Sequence, residues 1–213
     1  MSHRTESISA LLFDWDGTLV DSAQLGLVAF QKSFAAMGLE FHQPTYEVAY
    51  SPNWYSMYEK MGLPQEKWET ADELWMKHYG EQTARLIEGV DETIRELHRR
   101  GYRMGVVSSG SDCRVNREIA ELGVGEFFQV VVCNEQMVNK KPDPEGLQTA
   151  LGHLSIAPAH TCYVGDSPED IQMGKRANVM TVGVRSSYPT SWKLQSADPD
   201  IYLDAFDSLT NHF

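Results

Sequence analysis

ISALLFDWDGTLVDS, residues 8–22, joins an apolar run to two aspartates one residue apart. Ile8 to Asp14 reads as a buried strand, because a short apolar run bounded by turn residues suits a strand covered on both faces. At the end of a strand, residues i and i+2 point to the same side, so Asp14 and Asp16 can face one reacting group. Two carboxylates side by side are costly unless one carries a proton or a cation joins them. Both outcomes suit chemistry, with one carboxylate as nucleophile and the other as general acid and then base. Asp and Gly are also turn residues, but a turn needs no apolar strand feeding two aspartates.

Outward from this stretch the chain falls into two patterns. From residue 87 onward, short apolar runs alternate with helical spacing. Asp91 is expected to cap a helix carrying Ile94 and Leu97 and stopped by Gly101. Met104 to Val107 reads as a strand. Val115, Ile119 and Leu122 share one helix face, which stops at Gly123. Phe127 to Cys133 reads as a strand, and Asp143-Pro144 as a helix start, with Asp143 as cap and Pro144 in the first turn. Thr161 to Gly165 and Val179 to Val184 are further strands, with Ser167-Pro168 opening a helix between them. This alternation predicts a parallel sheet covered on both faces.

Residues 22–86 break that rhythm. Leu27, Phe30, Phe34 and Met37 recur at helical spacing, further helices are expected over 55–61 and 71–86, and Pro44, Pro52 and Pro64 punctuate the segment. The expected organisation is an α/β protein: a Rossmann-like parallel sheet core formed by residues 1–20 and 87–213, with an inserted all-helical cap, residues 21–86.

The 213 residues suffice for a core domain with a modest insertion. The net charge of -12 repels nucleic acid and anionic lipid, so neither is an expected partner. Three widely separated cysteines argue against a disulfide framework or zinc site and for a reducing compartment. MSHRTESISA lacks the apolar core of a signal peptide, and no apolar run approaches the roughly 20 residues of a membrane span. A cytoplasmic location is expected.

Three more segments lie where strands would end, and ligands of open parallel sheets bind beyond those ends. Ser108-Ser109-Gly110 can present a hydroxyl and backbone N–H groups to phosphate, and it equally fits a helix cap. In Lys140-Lys141-Pro142, the proline holds Lys141 extended, as a point charge suited to phosphate; Lys140 reads as a solvated surface lysine. In Gly165-Asp166-Ser167-Pro168-Glu169-Asp170, Asp166 is a natural ligand for a hard cation. Asp170 fits either a metal site or the third position of a helix capped by Ser167. A phosphate facing several carboxylates requires a cation, and all-oxygen ligands favour Mg²⁺.

With FDWDGTLVDS, VVSSGS, KKPDPE and GDSPED in this order, the chain resembles the haloacid dehalogenase superfamily, specifically its phosphoglycolate-phosphatase-like branch. The resemblance spans essentially the whole chain and implies a parallel sheet of about five strands under a helical cap. It also implies an Mg²⁺-dependent phosphatase acting on a small phosphorylated metabolite through an aspartyl-phosphate. Asp14 resembles the nucleophile and a metal ligand. Asp16 resembles the general acid/base, its backbone carbonyl also binding metal. Ser108, with Ser109 beside it, looks like the phosphate-binding segment, and Lys141 like the lysine that steadies nucleophile and phosphate. Asp166 resembles the side-chain metal ligand, and Asp170 the residue holding the metal's waters or neighbouring groups. Trp15 stands where an aliphatic residue is more usual, and its side chain is expected to point away.

Two other readings are open. Phosphomutases of the β-phosphoglucomutase type place a histidine on the first cap helix and an arginine in a specificity loop. Here Gly26 stands near the first position, and Ser51 to Tyr55 holds no arginine. A catalytically silent binding protein is the other, against which the full set of charged residues counts. Asn53, Trp54 and Tyr55, between two expected cap helices, are candidates for substrate specificity; the aromatics also suit core packing. Assembly as a monomer or a homodimer is expected.

Overall fold

In the computed structural model, which describes residues 8–213, six strands form one parallel sheet. They are β1 (Ala10–Phe13), β2 (Arg103–Val107), β3 (Val130–Val132), β4 (Thr161–Gly165), β5 (Met180–Val184) and β6 (Ile201–Leu203). Their order is β3-β2-β1-β4-β5-β6. Residues 1–7, read above as lacking a signal sequence and as opening the core, lie outside the described residues. No helix among the described residues is long and apolar enough to cross a membrane.

Between β1 and β2 run α1 (Ala23–Ala36), α2 (Gln43–Ala49), α3 (Trp54–Lys60), α4 (Trp68–Gly80) and α5 (Val90–Arg99). Then α6 (Asp112–Glu121) follows β2, α7 (Glu145–Leu154) follows β3, and α8 (Pro168–Arg176) follows β4. The period of two along each strand sorts side chains to opposite faces. Leu11, Phe13, Val106 and Val164 pack with Ile94 and Leu97 of α5 and Val115 and Ile119 of α6. Ala10, Leu12, Val107 and Tyr163 pack with Leu147 of α7 and Met173 of α8. The strands are therefore apolar throughout, as a sheet covered twice requires.

Helices α1 to α4 build a separate apolar cluster around Phe30, Phe34, Tyr58, Trp75 and Tyr79. Most of its rings meet at angles, as quadrupoles favour, with Trp54 and Trp75 4.4 Å apart at 61°, while Trp75 and Tyr79 stack at 4.6 Å and 22°. The chain crosses between this cluster and the sheet at one place. There Val20 bridges Leu86 antiparallel, and Asp21 N–H donates to Arg85 O while Ile87 N–H donates to Leu19 O, both at 3.0 Å.

Several boundaries differ from the sequence reading. The helix expected over 71–86 ends at Gly80, and residues 81–86 form the return to the sheet. α2 was not expected; Pro44 sits in its first turn, where the missing N–H costs nothing. Gly89, not Asp91, caps α5, and Asp91 lies in the first turn, where an acid complements the helix dipole. α7 starts at Glu145 after Pro144, although Asp143 still accepts the Glu145 N–H at 3.0 Å. Lys140 is not simply solvated: its Nζ donates to the carbonyls of Asn134 (2.7 Å) and Met137 (2.6 Å).

The sixth strand was also unexpected. Ile201–Leu203 is too short to show a period, and a side-chain staple aligns it. Asp200 Oδ2 accepts the N–H and hydroxyl of Thr181 at 2.9 and 3.0 Å, and Thr181 Oγ1 accepts the Asp200 N–H at 3.1 Å. Thr181 is fully buried. Asp200→Ala leaves buried donors unpaired, and about 1–3 kcal/mol of stability should be lost. Urea melts should show a lower midpoint at an unchanged slope.

Candidate active site

The carboxyl ends of β1, β2 and β4 carry Asp14, Ser108 and Asp166. Register places them level: Phe13 lies opposite Val106 on one side and Val164 on the other. Gly17 closes the turn after Asp16 with φ +80°, and a Cβ there would lie 2.4 Å from Asp166 Oδ2. Only glycine satisfies both the left-handed conformation and the close approach.

Lys141 binds the acidic residues together. Its Nζ donates to Asp14 Oδ1 at 2.6 Å, Asp170 Oδ1 at 2.8 Å and Tyr163 Oη at 2.9 Å. Tyr163 in turn donates to Val107 O at 2.9 Å. Asp170 Oδ2 accepts the Ser167 N–H and hydroxyl at 3.1 and 2.6 Å, and Ser167 Oγ accepts the Asp170 N–H, a reciprocal helix cap. Asp170 thus fills the capping position read from the sequence while also bracing Lys141.

One oxygen each from Asp14, Asp166 and Asp170 lies within 4.8 Å of the others, all buried. Burial pushes the Asp14 carboxyl up to about 7; Lys141 opposes that rise and the Asp170 charge adds to it. Asp166 is raised well above the ordinary range by burial and then by Asp14 and Asp170. Lys141 is held well above its usual value because the two aspartates outweigh burial. Carboxylates crowded so closely fit a bound hard cation, which would relieve their repulsion. Asp14 and Asp166 could hold Mg²⁺ by their side chains, with Asp170 behind.

Asp16 stands apart from that cluster. Its carboxylate accepts two hydrogen bonds from Arg114, Nη1 to Oδ1 at 3.0 Å and Nη2 to Oδ2 at 2.5 Å. Burial acts to raise the Asp16 carboxyl, but the guanidinium overrides it and holds the group below its ordinary value. Arg114 also reaches Glu118 Oε2 at 3.2 Å, and Glu118 Oε2 accepts Trp15 Nε1–H at 2.7 Å. Trp15 is fully buried and turned away from the chamber, as expected.

These groups open into a chamber of about 50 Å³ between the sheet ends and α1–α4, lined by Asp14, Asp16, Ser108, Ser109, Lys141 and Asp166. Ser108 Oγ accepts the Gly110 N–H at 2.9 Å, which keeps its proton available to phosphate. Trp54 lines the chamber and a neighbouring cavity of about 230 Å³; Asn53 and Tyr55 line only the latter. The Asn53 side chain accepts the Ser56 N–H at 3.3 Å and caps α3. Tyr55 is half exposed and stacks on Trp68 at 5.1 Å.

The sequence reading missed Arg114, Glu118 and Tyr163. Arg114 and Glu118 are four residues apart on a helix, a spacing usual for a solvated ion pair. Their position beside Val115 and Ile119 was the available signal that they face inward. Tyr50 and Tyr188 were missed as well; both line the chamber, their rings pack together at 5.0 Å, and Tyr188 Oη lies 3.0 Å from Ser22 Oγ.

The family model for haloacid dehalogenase-like hydrolases matches residues 11–184. The pyrophosphatase PpaX of Listeria monocytogenes is 30% identical over 214 residues, covering 96% of each chain. The phosphoglycolate phosphatase of Salmonella typhi is 28% identical over 234 residues, covering 97% of this chain and 93% of its own. The crystal structure of a predicted phosphoglycolate phosphatase from Haemophilus somnus superimposes with a TM-score of 0.86 at 20% identity, covering 96% of this chain and 97% of that one. With motifs, sheet order and site geometry agreeing along its length, the chain belongs to the haloacid dehalogenase-like hydrolase family.

Proposed function

We propose that this protein is an Mg²⁺-dependent phosphatase that hydrolyses a small phosphorylated metabolite through a phosphoryl group carried on Asp14. The observation that carries this reading is Asp14 itself: a buried carboxylate at the head of the sheet, gripped by Lys141 at 2.6 Å and crowded by Asp166 and Asp170. Such a carboxylate is oriented for attack and is short of positive charge. Pyrophosphate and phosphoglycolate, from the names of the relatives, are small enough to suit a confined chamber.

The residues divide the work. An Asp14 oxygen attacks phosphorus in line as the bond to the leaving oxygen breaks, and Asp16 supplies the proton that oxygen takes up. Water then gives a proton back to Asp16 and attacks the acyl-phosphate, releasing phosphate and restoring the Asp14 carboxylate. Ser108 and Lys141 orient the phosphoryl oxygens and offset their charge. Bound Mg²⁺ would supply further charge stabilisation to the transferring group. Trp54 and the other rings of α1–α4 exclude water and contact the leaving group.

Activity should disappear in EDTA and return with Mg²⁺, while Ca²⁺ restores little because its larger, looser coordination misplaces the nucleophile. Turnover that persists undiminished in chelator removes the metal from the proposal. Asp14→Asn should abolish both turnover and covalent labelling by an activated aryl phosphate. Asp16→Asn should still label but release phosphate slowly, so phospho-enzyme accumulates in intact-mass spectra. Phosphate on the Asp14→Asn protein at the wild-type level would reassign the nucleophile.

A further inference from the structure

The proposed reaction gives no part to Arg114, yet the chamber is built around it. The residue is 2% exposed and lines the chamber. Its Nη atoms grip both oxygens of Asp16, and Glu118, held from behind by Trp15, fixes it from the other side. The rings of Tyr79 and Trp75 on α4 lie 5.0 and 5.8 Å from its guanidinium carbon. Gly110 leaves it room, since a Cβ there would lie 2.3 Å from Nη2. A buried guanidinium held on every side is positioned rather than incidental.

What it is positioned for follows from the charges around it. Among the described residues lining the chamber, the cations are Arg114 and Lys141. Lys141 is bound to Asp14 and Asp170. The lining from α1–α4 and the loop after α2 is Gly26, Phe30, Tyr46, Tyr50, Pro52, Trp54 and Trp75, none of them charged. A leaving group with a negative charge of its own would therefore meet Asp14, Asp16, Asp166 and aromatic faces, with Arg114 as the cation left to receive it. The planar fork of a guanidinium binds a carboxylate or a phosphate in two parallel bonds. That is the same interaction it now makes with Asp16, so an incoming anion can take the place of the Asp16 carboxylate. The exchange releases Asp16 from a grip in which both its oxygens only accept, and leaves it free for the leaving oxygen.

We propose that Arg114 is a specificity-determining residue: it binds the negative charge of the leaving group in exchange for Asp16, and so selects phosphate esters and anhydrides whose leaving group carries a carboxylate or a phosphate of its own beside the oxygen being cleaved. The proposal rests on the phosphatase reading above. It makes Arg114, on the sheet side of the chamber, the reader of the leaving group's charge, while the helices supply only uncharged contact.

The test compares substrates matched except for charge. 2-Phosphoglycolate and ethylene glycol monophosphate differ by a carboxylate in place of a hydroxymethyl group, and inorganic pyrophosphate adds a phosphate leaving group. With Mg²⁺, the wild-type kcat/KM for the better of the two anionic substrates should exceed that for ethylene glycol monophosphate at least about 30-fold, the low end for a buried charge contact. In Arg114→Gln that ratio should collapse toward one, and Arg114→Lys should keep part of it, having the charge without the fork. Because Arg114→Gln leaves Glu118 without its partner, the double variant Arg114→Gln/Glu118→Gln preserves the charge balance, and the same collapse is expected. A wild-type ratio near one overturns the assignment, as does an equal fall for charged and neutral substrates in the variants. Acetyl phosphate turnover and phosphate trapped on Asp14 separate the two failures. If the wild type shows neither, the phosphatase reading falls and Arg114 with it; if it shows both without preferring anionic leaving groups, only the role of Arg114 falls.

Discussion

A buried ammonium holds the head of this sheet together. Lys141 Nζ lies within 3 Å of Asp14, Asp170 and Tyr163, and so ties the ends of β1 and β4, the start of α8 and the loop before α7 to one point. Removing one partner from a buried ion pair commonly costs about 3–5 kcal/mol, because the charge left behind has neither water nor a counter-ion. Here one cation faces two paired carboxylates with a third, Asp166, alongside. The arrangement is tolerable because Tyr163, Ser167 and backbone N–H groups share the charge.

The two aspartates of the first motif have opposite surroundings although one residue separates them. Asp14 is raised by burial among acids, and Asp16 is lowered by a guanidinium. The strand geometry that turns both toward the chamber also lets different helices and loops reach each one. Divergent environments for neighbouring carboxylates are how a single site assigns separate acid and base duties. A cation beside Asp14 and an anion beside Arg114 would each move its aspartate toward the state the proposed reaction requires.

Much of this was legible because strands and their ends leave strong local marks. An apolar run ending in Asp14-Trp15-Asp16-Gly17 declares both a buried strand and the residues at its mouth, and parallel alternation brings the other strand ends to the same edge. Trp15 could be turned away by the same period of two. Arg114 and Glu118 were not legible as site residues, because an i, i+4 pair on a helix has the same spacing whether it faces solvent or a cavity. Whether it is buried depends on what α4 lays over it. β6 is set by a contact between Asp200 and Thr181, nineteen residues apart, which no window of a few residues contains. Trp54 admitted two readings, core packing and chamber lining, and the structure gives it both places.

The crossing between Val20 and Leu86 has an evolutionary consequence. The chain leaves the sheet and returns to it at adjacent points, joined by a single antiparallel bridge. Whatever lies between them need only begin and end side by side. A segment of another length or architecture could be exchanged there without shifting the register of any strand or the placement of Asp14, Lys141 and Asp166. Descendants of one such scaffold can thus diverge in what they accept by replacing the inserted piece, while the chemistry at the sheet edge is inherited intact.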